Sequence, residues 1–258
     1  MFHLPINEFT TGDGIAGMKY IPDESVDLLH TDPPYNISCG TKLFKDYRQN
    51  GKVNPTILSF DFGEWDYNFN PVEFLNASIR VLHPTGSWII WTSEQLYGVY
   101  RQWAIDAGMH FKQTLIFRRV NPLPQFRKIG YRQATELMCW IAKKPIGKNN
   151  PNFIFGKQED MINVFDGAIC GGKERTAHPT QKPLSICQKI IKTHCRPGGI
   201  VLDCFSGSGT IALAAYSTGR NFIAIEQEEK WNKVAEKRIR EYQVVKEEKT
   251  DKFEQMKF

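Results

Sequence analysis

The stretch Asp203-Cys204-Phe205-Ser206-Gly207-Ser208-Gly209-Thr210 follows the apolar run Gly199-Ile200-Val201-Leu202 and leads into a helical pattern at residues 210–217. Gly207 and Gly209 permit a tight turn and a close approach of the backbone to a ligand, and a helix N-terminus follows them. A second apolar run, Asn221-Phe222-Ile223-Ala224-Ile225, ends at Glu226, whose carboxylate can accept hydrogen bonds from both hydroxyls of a ribose. These features predict two buried parallel strands with a ligand site at their ends.

The same alternation continues outward along the chain. About seven apolar runs of strand length alternate with segments of helical periodicity, which is typical of an α/β protein with a doubly wound, mostly parallel sheet and helices on both faces. The predicted strands are residues 7–11, 26–32, 86–91, 111–117, 136–142, 199–203 and 221–225. The predicted helices are residues 71–82, 95–107, 183–195, 210–217 and 228 to about 245.

Three segments lack this regularity. Residues 37–70 mix basic with aromatic side chains, which is typical of a loop that becomes ordered on nucleic acid, although a solvated loop with a few anchoring side chains is the simpler alternative. Residues 143–175 contain many Asn, Gly and Lys residues, so we expect an irregular insertion there. The charged end of the chain, residues 246–258, is expected to fray.

The turn Thr31-Asp32-Pro33-Pro34-Tyr35-Asn36 follows the apolar run Val26-Asp27-Leu28-Leu29-His30 and is therefore expected at a strand end. Pro33 lacks an N–H and restrains Asp32 to extended geometry, and Pro34 restrains Pro33 in the same way. The turn thus offers a rigid row of acceptors, with the Asp32 carboxylate at one end and the Tyr35 ring at the other. Such a site suits a planar ring that carries an amino group, although a proline-stiffened turn without a chemical role has the same sequence.

A site of this kind can activate the exocyclic amine of adenine or cytosine. The lone pair of that amine is delocalised into the ring, so the amine is a poor nucleophile. Two acceptors that bind both N–H bonds favour the pyramidal amine, whose lone pair points out of the plane toward an electrophile. This chemistry requires no metal.

The glycine turn also permits a different interpretation. Residues 207–212 fit the G-x-G-x-x-G/A pattern of dinucleotide-binding proteins, with Glu226 as the acidic partner. On this motif alone, a nicotinamide-dependent oxidoreductase stays open. The basic and aromatic segments likewise leave open a nucleic-acid-binding module without catalytic activity.

Composition narrows the class of protein. The chain has 258 residues, enough for one large domain, and a net charge of +5, which permits nucleic-acid binding without requiring it. Its six cysteines form no C-x-x-C pair, so we expect reduced thiols in a cytoplasmic protein and no metal site. No run resembles a signal peptide or reaches membrane-spanning length, so no membrane partner is expected.

Taken together, Asp32-Pro33-Pro34-Tyr35 and the later motif at residues 203–210 resemble the β-class of amino-DNA methyltransferases, which use S-adenosylmethionine. The resemblance covers most of residues 10–242. It includes Gly12-Asp13, Asn121-Pro122 with Pro124 and Glu136, and His178-Pro179-Thr180-Gln181-Lys182-Pro183. It implies the methyltransferase sheet in circularly permuted order, with the cofactor-binding strands last in the sequence.

The resemblance also implies roles for individual residues. The residues that would hold a flipped base are Asp32, Pro33, Pro34 and Tyr35. The residues that would bind the cofactor are Asp13 at its adenine amino group, Glu226 at its ribose, Thr180 and Lys182 near its carboxylate, and Asp203, Phe205, Gly207, Gly209 and Thr210 around its methionine part. Cys204 stands where the family usually has proline, which loosens the turn slightly without putting cofactor binding in doubt.

The implied reaction is methyl transfer to the N6 amine of a flipped adenine in DNA, because family members that act on cytosine N4 more often carry Ser in place of Asp32. Cytosine N4 is the alternative target. The predicted division is a methyltransferase domain (1–245) with a catalytic half (7–36), a DNA loop (37–70), a target-recognition region (118–175) and a cofactor half (178–242), followed by a charged tail (246–258). Double-stranded DNA is the expected partner, while a homodimer and a cognate restriction endonuclease are further partners that the sequence leaves open.

Overall fold

Eight β-strands form one sheet in the computed structural model, which describes residues 4–36, 69–126 and 128–255. The strands are β1 (Phe9–Thr11), β2 (Val26–Thr31), β3 (Leu82–Thr92), β4 (His110–Arg119), β5 (Thr135–Ala142), β6 (Val164–Gly167), β7 (Ile200–Asp203) and β8 (Asn221–Glu226). The α-helices are α1 (Gly14–Gly17), α2 (Pro71–Val81), α3 (Glu94–Asp106), α4 (Leu184–His194), α5 (Thr210–Ser217) and α6 (Glu229–Gln255). Short 3₁₀-helices lie at Met18–Tyr20, Gln158–Asp160 and Gly172–Glu174.

The strand order is β1-β8-β7-β2-β3-β5-β4-β6. All neighbouring pairs are parallel except the two that involve β5, which runs antiparallel to both β3 and β4. The predicted doubly wound, mostly parallel α/β sheet is therefore confirmed, with one more strand than expected. The additional strand is β6, which lies in the segment predicted to be irregular and pairs, at the edge of the sheet, with β4 through only four residues. A run this short has no recognisable periodicity in the sequence.

The sheet buries a separate apolar layer on each face. Along β3, Trp88 and Ile90 point into one layer while Ile89 and Trp91 point into the other, as the alternation of side chains along a strand requires. Helices α2 and α3 cover the first face, and α4, α5 and α6 cover the second. Strands buried on both faces explain why the sequence shows continuous apolar runs rather than alternating ones.

Several element boundaries differ from those predicted. Strand β3 begins at Leu82, directly after α2, rather than at Gly86. Helix α6 continues to Gln255, through most of the segment expected to fray, because residues 246–255 contain mainly residues with good helix propensity and no glycine or proline. Residues 37–68, most of the predicted DNA loop, lie outside the described residues, so that interpretation stays a prediction. Within the ranges described above, no helix is both long and apolar enough to cross a membrane.

The turn before α5 is set by a close contact with α6. Gly209 precedes the first residue of α5 and has a φ of 71°, in the left-handed region. A Cβ atom at this position would lie 2.5 Å from the Cβ of Ala235 on α6 and 3.1 Å from the ring of Phe9. The glycine therefore serves both the backbone conformation and the packing of α6 over the sheet.

Alanine substitutions at Gly209 and at a second glycine should separate the effect of the left-handed backbone conformation from the effect of packing against α6. Gly219 has a similar φ of 73°, but a Cβ there would meet no atom within 4 Å. We expect Gly219→Ala to lower the free energy of unfolding by roughly 1 kcal/mol through backbone strain alone, and Gly209→Ala to lower it by roughly 1–3 kcal/mol more through overpacking. Urea unfolding of both variants measures the difference, and equal losses would show that the contact with α6 is unimportant.

Candidate active site

Four neighbouring parallel strands each lead into a carboxylate at the same edge of the sheet. Asp13 follows β1, Glu226 ends β8, Asp203 ends β7 and Asp32 follows β2. All four line one cavity of about 1650 Å³. Because the carboxyl ends of parallel strands meet at one edge, the strand order alone brings together residues that are far apart in the sequence.

Asp32 is held from two sides. The hydroxyl of Tyr35 donates to its Oδ1 at 2.7 Å, and the Nζ of Lys182 donates to its Oδ2 at 2.5 Å. Pro34 lines the cavity beside Asp32, whereas Pro33 and Tyr35 do not line it. Burial raises the pKa of Asp32 above its ordinary value, and the charge of Lys182 opposes this effect.

Lys182 carries a buried positive charge between two carboxylates. Its Nζ also lies 3.4 Å from the Glu136 carboxylate, and it lies over the rings of Tyr35 and Trp91, at 5.5 Å and 5.1 Å from their centroids. Burial alone lowers the pKa of Lys182, but the charges of Asp32 and Glu136 outweigh it and raise that pKa above its ordinary value. The sequence resemblance implied that Lys182 lies near a cofactor carboxylate; in the structure it lines the cavity, and its ammonium contacts the Asp32 carboxylate.

Glu136 connects this cation to a fourth charged side chain. The Arg119 guanidinium donates to the Glu136 carboxylate from Nε at 3.1 Å and from a terminal nitrogen at 2.5 Å. Burial would raise the pKa of Glu136, but the charges of Lys182 and Arg119 outweigh it and lower that pKa. Asp32, Lys182, Glu136 and Arg119 thus form a continuous chain of alternating charges that leads away from the cavity.

The carboxylate of Asp203, at the end of β7, lines the cavity. Its Oδ1 accepts a hydrogen bond from the Thr31 hydroxyl at 2.6 Å and one from the Phe205 N–H at 3.3 Å. Burial raises the pKa of Asp203 to about 7, because these two hydrogen bonds compensate only part of the lost hydration. A carboxylate with this pKa changes its charge in the physiological range, so a cationic ligand can draw it into the ionised form.

The glycine turn binds the Glu226 carboxylate at the end of β8 and is held on its other side by α6. The Gly207 N–H donates to the Glu226 carboxylate at 2.7 Å, and the Glu228 N–H donates to its other oxygen at 2.9 Å. A Cβ on Gly207 would lie 2.7 Å from the Nε2 of His178, so glycine is required for this close approach. On the far side, Arg238 of α6 donates to the Ser208 carbonyl oxygen at 2.7 Å and to the Thr210 hydroxyl at 2.8 Å.

Most of the residues implied by the resemblance converge on the cavity. Those that line it are Asp13, Asp32, Pro34, Thr180, Lys182, Asp203, Phe205, Gly207, Thr210 and Glu226. Three others do not line it: Pro33, Tyr35, whose hydroxyl donates to Asp32, and Gly209, which packs against α6. Their roles toward a ligand stay predictions.

Reasoning from the sequence missed several residues of this site. Arg119, Trp91 and Arg238 carry no motif and reach the site only through the tertiary fold. Trp91 and Arg238 belong to ordinary strand and helix patterns, and Arg119 lies just beyond the strand predicted at residues 111–117. Glu136 was noted only as part of the resemblance. A buried acid at a strand start, opposite an arginine on the neighbouring strand, is the signal that could have identified it.

The cavity is suited to a polar ligand. Ser206 lines it, and its hydroxyl oxygen is buried without a hydrogen-bond partner. Buried hydroxyls are normally satisfied, so this one is available to a bound group. Across the part of the chain that the structure describes, no group of three or more His, Cys, Asp or Glu side chains is arranged to hold a metal ion. The carboxylates and the hydroxyl that line the cavity can bind a nucleoside or amino-acid moiety through hydrogen bonds and charge.

The sheet, its carboxyl-edge cavity and the glycine turn define a doubly wound α/β protein with a nucleotide-type site. A family model described as DNA methylase (N6_N4_Mtase) matches residues 26–237, and the chain belongs to this family of DNA methyltransferases. The nicotinamide-dependent oxidoreductase that the glycine motif left open is set aside by this assignment.

Individual relatives agree with the family. Type II methyltransferase M.HinfI of Haemophilus influenzae is 35% identical over 256 residues, covering 92% of this chain and 69% of that protein. Type II methyltransferase M2.LlaDCHI of Lactococcus lactis subsp. cremoris is 30% identical over 253 residues, covering 88% of this chain and 87% of that protein.

Solved structures show the same fold. The crystal structure of an M1.HpyAVI–SAM complex superposes with a TM-score of 0.69 at 28% identity, covering 90% of this chain and 98% of that one. PvuII DNA methyltransferase, described as cytosine-N4-specific, superposes with a TM-score of 0.67 at 18% identity, covering 91% of this chain and 86% of that one. At that identity the second likeness concerns the fold alone.

Removing the buried cation should destabilise the protein in a pH-dependent way. In Lys182→Met, Asp32 and Glu136 lose their shared partner, so their folded-state pKa values rise and their ionised forms oppose folding. We expect a loss of about 3 kcal/mol in the free energy of unfolding at pH 8, and a smaller loss at pH 5, where the carboxyl groups can take up protons. Denaturant unfolding at the two pH values measures this difference.

The matched control is Lys233→Met, which breaks an exposed ion pair with Glu229 on α6. It should show no measurable dependence of its effect on pH over the same range. A loss in Lys182→Met that is equal at pH 5 and pH 8 would mean that the Lys182 side chain acts through packing and not through its charge.

Proposed function

We propose that this chain transfers a methyl group from S-adenosylmethionine to the exocyclic N6 amine of an adenine flipped out of double-stranded DNA. One observation carries the proposal: the Asp32 carboxylate lies on the wall of the ligand cavity, beside Pro34, and is fixed by Tyr35 and Lys182. This is a rigid anionic acceptor at the edge of a nucleotide-type site, in a chain that belongs to a family of DNA methyltransferases.

The structure supports a role for Asp32 in orienting the amine. A carboxylate offers about four lone-pair positions, and Tyr35 and Lys182 occupy one on each oxygen. The remaining positions can accept an N–H of the target amine, which favours the pyramidal form with its lone pair directed toward the methyl donor. The Tyr35 hydroxyl supports this function by holding Asp32, and its ring keeps the predicted role of stacking on the flipped base.

The charge of Lys182 affects how readily Asp32 can accept the proton that the target amine loses on methylation. Because Lys182 stays protonated beside Asp32, it stabilises the carboxylate form and limits its basicity. Asp32 therefore acts first as a hydrogen-bond acceptor, and the amine N–H becomes acidic enough to release its proton only after the nitrogen has formed its new bond. The proton then passes to Asp32 or to solvent.

The cofactor half supports the choice of methyl donor. S-adenosylmethionine, when bound, supplies an activated methyl group on a positively charged sulfur. Asp203 offers a carboxylate that can ionise beside a cationic amino-acid moiety, and Glu226 offers carboxylate lone pairs to ribose hydroxyls. Asp13 and Thr180 line the same cavity and are available to the adenine and carboxylate ends.

The nature of the target base rests on a single position. Asp32 stands at the head of the tetrapeptide where cytosine-N4 enzymes of this class more often carry serine, and this favours adenine. Cytosine N4 is the alternative, and both bases present the same kind of amine. A flipped base implies duplex DNA as the substrate, because extrusion is needed only where the base is stacked and paired.

The region proposed to select the target sequence comprises residues 118–175. It contains the last two residues of β4 and all of β5 and β6, at the end of the sheet where β5 runs antiparallel to its neighbours. A partner restriction endonuclease is part of the same proposal, because the relatives above are named as Type II methyltransferases. The described cysteines Cys139, Cys170, Cys187, Cys195 and Cys204 are free thiols, which supports the cytoplasmic location inferred from the sequence.

The deciding assay measures methyl transfer from labelled S-adenosylmethionine to mixed-sequence duplex DNA, single-stranded DNA and RNA, with mass spectrometry of the digested nucleosides. We expect N6-methyladenine in duplex DNA, and sequencing of the product then maps the target sequence. N4-methylcytosine would overturn the choice of base, and the absence of cofactor binding by folded protein would overturn the methyltransferase proposal.

Neutralising the catalytic carboxylate should abolish turnover and leave the fold intact. Asp32→Asn keeps an acceptor for the Tyr35 hydroxyl but loses the negative charge that orients the amine. We expect kcat to fall by at least about 100-fold while S-adenosylmethionine binding is retained. The control is Asp106→Asn at the exposed end of α3, which should keep full activity. Unchanged turnover in Asp32→Asn would contradict the catalytic role proposed for Asp32.

Cofactor affinity should depend on pH through Asp203. Its folded-state pKa of about 7 means that the carboxyl group is mostly protonated at pH 6 and mostly ionised at pH 8. A cationic ligand favours the ionised form, so the affinity for S-adenosylmethionine should rise between pH 6 and pH 8 by up to about tenfold. Isothermal titration calorimetry measures this change, and Asp203→Asn should bind more weakly and without that rise. An affinity that falls with pH would contradict the assignment.

A further inference from the structure

The segment between β4 and β5, residues 120–134, exposes an unusual number of apolar side chains. Tyr131 is 99% exposed, and Phe126 and Ile129 are each 77% exposed. Val120 and Leu123 are also mostly exposed. Single exposed apolar residues are common on protein surfaces, but a concentration within one short loop indicates an interaction site.

The topology places this loop at the catalytic edge of the sheet. Strand β5 is antiparallel to β3, and Leu137 near the start of β5 pairs with Thr92 at the end of β3. Strand β2, which leads to Asp32, runs parallel to β3 with Thr31 opposite Ile90. The loop that enters β5 therefore projects from the same edge as Asp32.

The base of the loop is braced. Arg132 donates to the carbonyl oxygens of Pro122 and Leu123, and the Arg119 guanidinium, which also binds Glu136, donates to the Gln133 carbonyl oxygen at 3.2 Å. The Asn121 side chain accepts a hydrogen bond from the Ile169 N–H at 2.9 Å. The exposed apolar side chains are thus presented on a supported turn that is tied to the catalytic charge chain.

The charge of the loop identifies its partner. Between Val120 and Ala134 the sequence contains basic residues, among them Lys128 and Arg132, and no aspartate or glutamate. Basic side chains next to exposed aromatic and aliphatic ones suit a surface that contacts phosphates and bases together. An uncharged apolar face would instead suit a second copy of the chain.

We propose that Phe126, Ile129 and Tyr131 form a wedge that enters the DNA base stack next to the flipped base. Extruding a base leaves a gap in the duplex and costs stacking energy, and apolar side chains inserted between base steps compensate for such a loss. This inference rests on the proposed function, since it assigns to the loop the task of holding the duplex open while Asp32 engages the extruded amine.

The test compares two substrates that differ only in the cost of extrusion. One is a paired duplex with the target sequence mapped by the methylation assay, and the other has a mismatch opposite the target base. We expect Phe126→Ala/Tyr131→Ala to lower kcat/KM on the paired duplex by about tenfold or more, and on the mismatched duplex by less than about threefold. Tyr131→Phe, which keeps the ring, should stay close to the unmodified protein on both.

The control variant is Ile105→Ala. Ile105 is 57% exposed and lies in the last turn of α3, just before β4 begins at His110 opposite the end of β5, and therefore at the opposite edge of the sheet from Asp32. This variant should keep the activity of the unmodified protein on both substrates, and thermal unfolding should show that every variant is folded.

Three outcomes would overturn the wedge. An equal loss on both substrates would mean that the loop binds DNA without holding the stack open, and no loss would remove it from the reaction. An equal loss together with a lower mass in sedimentation would identify a contact between copies of the chain. Inactivity of the unmodified protein on both substrates would instead count against the proposed function itself.

Discussion

The arrangement of the site depends on one buried cation. The Lys182 ammonium lies between the carboxylates of Asp32 and Glu136, which stand 150 and 46 residues before it in the sequence. A buried charge is tolerated only with opposite charges close by, so these three segments must come together in one geometry or the site does not form. The circularly permuted order of the halves is consistent with this requirement, because the contact is made in space and is indifferent to the order of the segments along the chain.

The parallel sheet imposes a second constraint, because it gathers four carboxylates at one edge. Their mutual repulsion is limited in different ways. Asp13 accepts the Ala16 N–H at the start of α1, Glu226 accepts two backbone N–H groups, and Asp32 has Lys182. Asp203 has only the Thr31 hydroxyl and one N–H, and its pKa rises to about 7. Among the described residues, Asp203 is buried without a cation of its own, and its pKa of about 7 lets a positive ligand convert it to the ionised form.

Much of the fold could be inferred from the sequence because its signals are local. Strands buried on both faces appear as continuous apolar runs, and the turn before α5 has its own glycine pattern. Features that depend on distant contacts could not be inferred. Strand β6 has four residues and is fixed by its pairing with β4, the pairing of Lys182 with Asp32 crosses half of the chain, and Gly209 is required by Ala235 of α6. The hydrogen bond from the Tyr35 hydroxyl to Asp32 is another contact that the sequence did not indicate, and the stacking role of the ring stays a prediction.

Because β5 runs antiparallel to β3, the loop of residues 120–134 lies at the same edge of the sheet as Asp32. Had β5 run parallel to β3, the segment entering it would lie at the opposite edge of the sheet, away from Asp32. Because it runs antiparallel, the loop ends beside Glu136, and Arg119 bonds both to that carboxylate and to the Gln133 carbonyl oxygen of the loop. If DNA displaced this loop, Arg119 would move relative to Glu136. The ion pair between Glu136 and Lys182 would then change, and with it the electrostatic stabilisation of the Asp32 carboxylate by Lys182. The same few hydrogen bonds that support the fold at this edge thus connect the Asp32 carboxylate to the surface proposed to contact DNA.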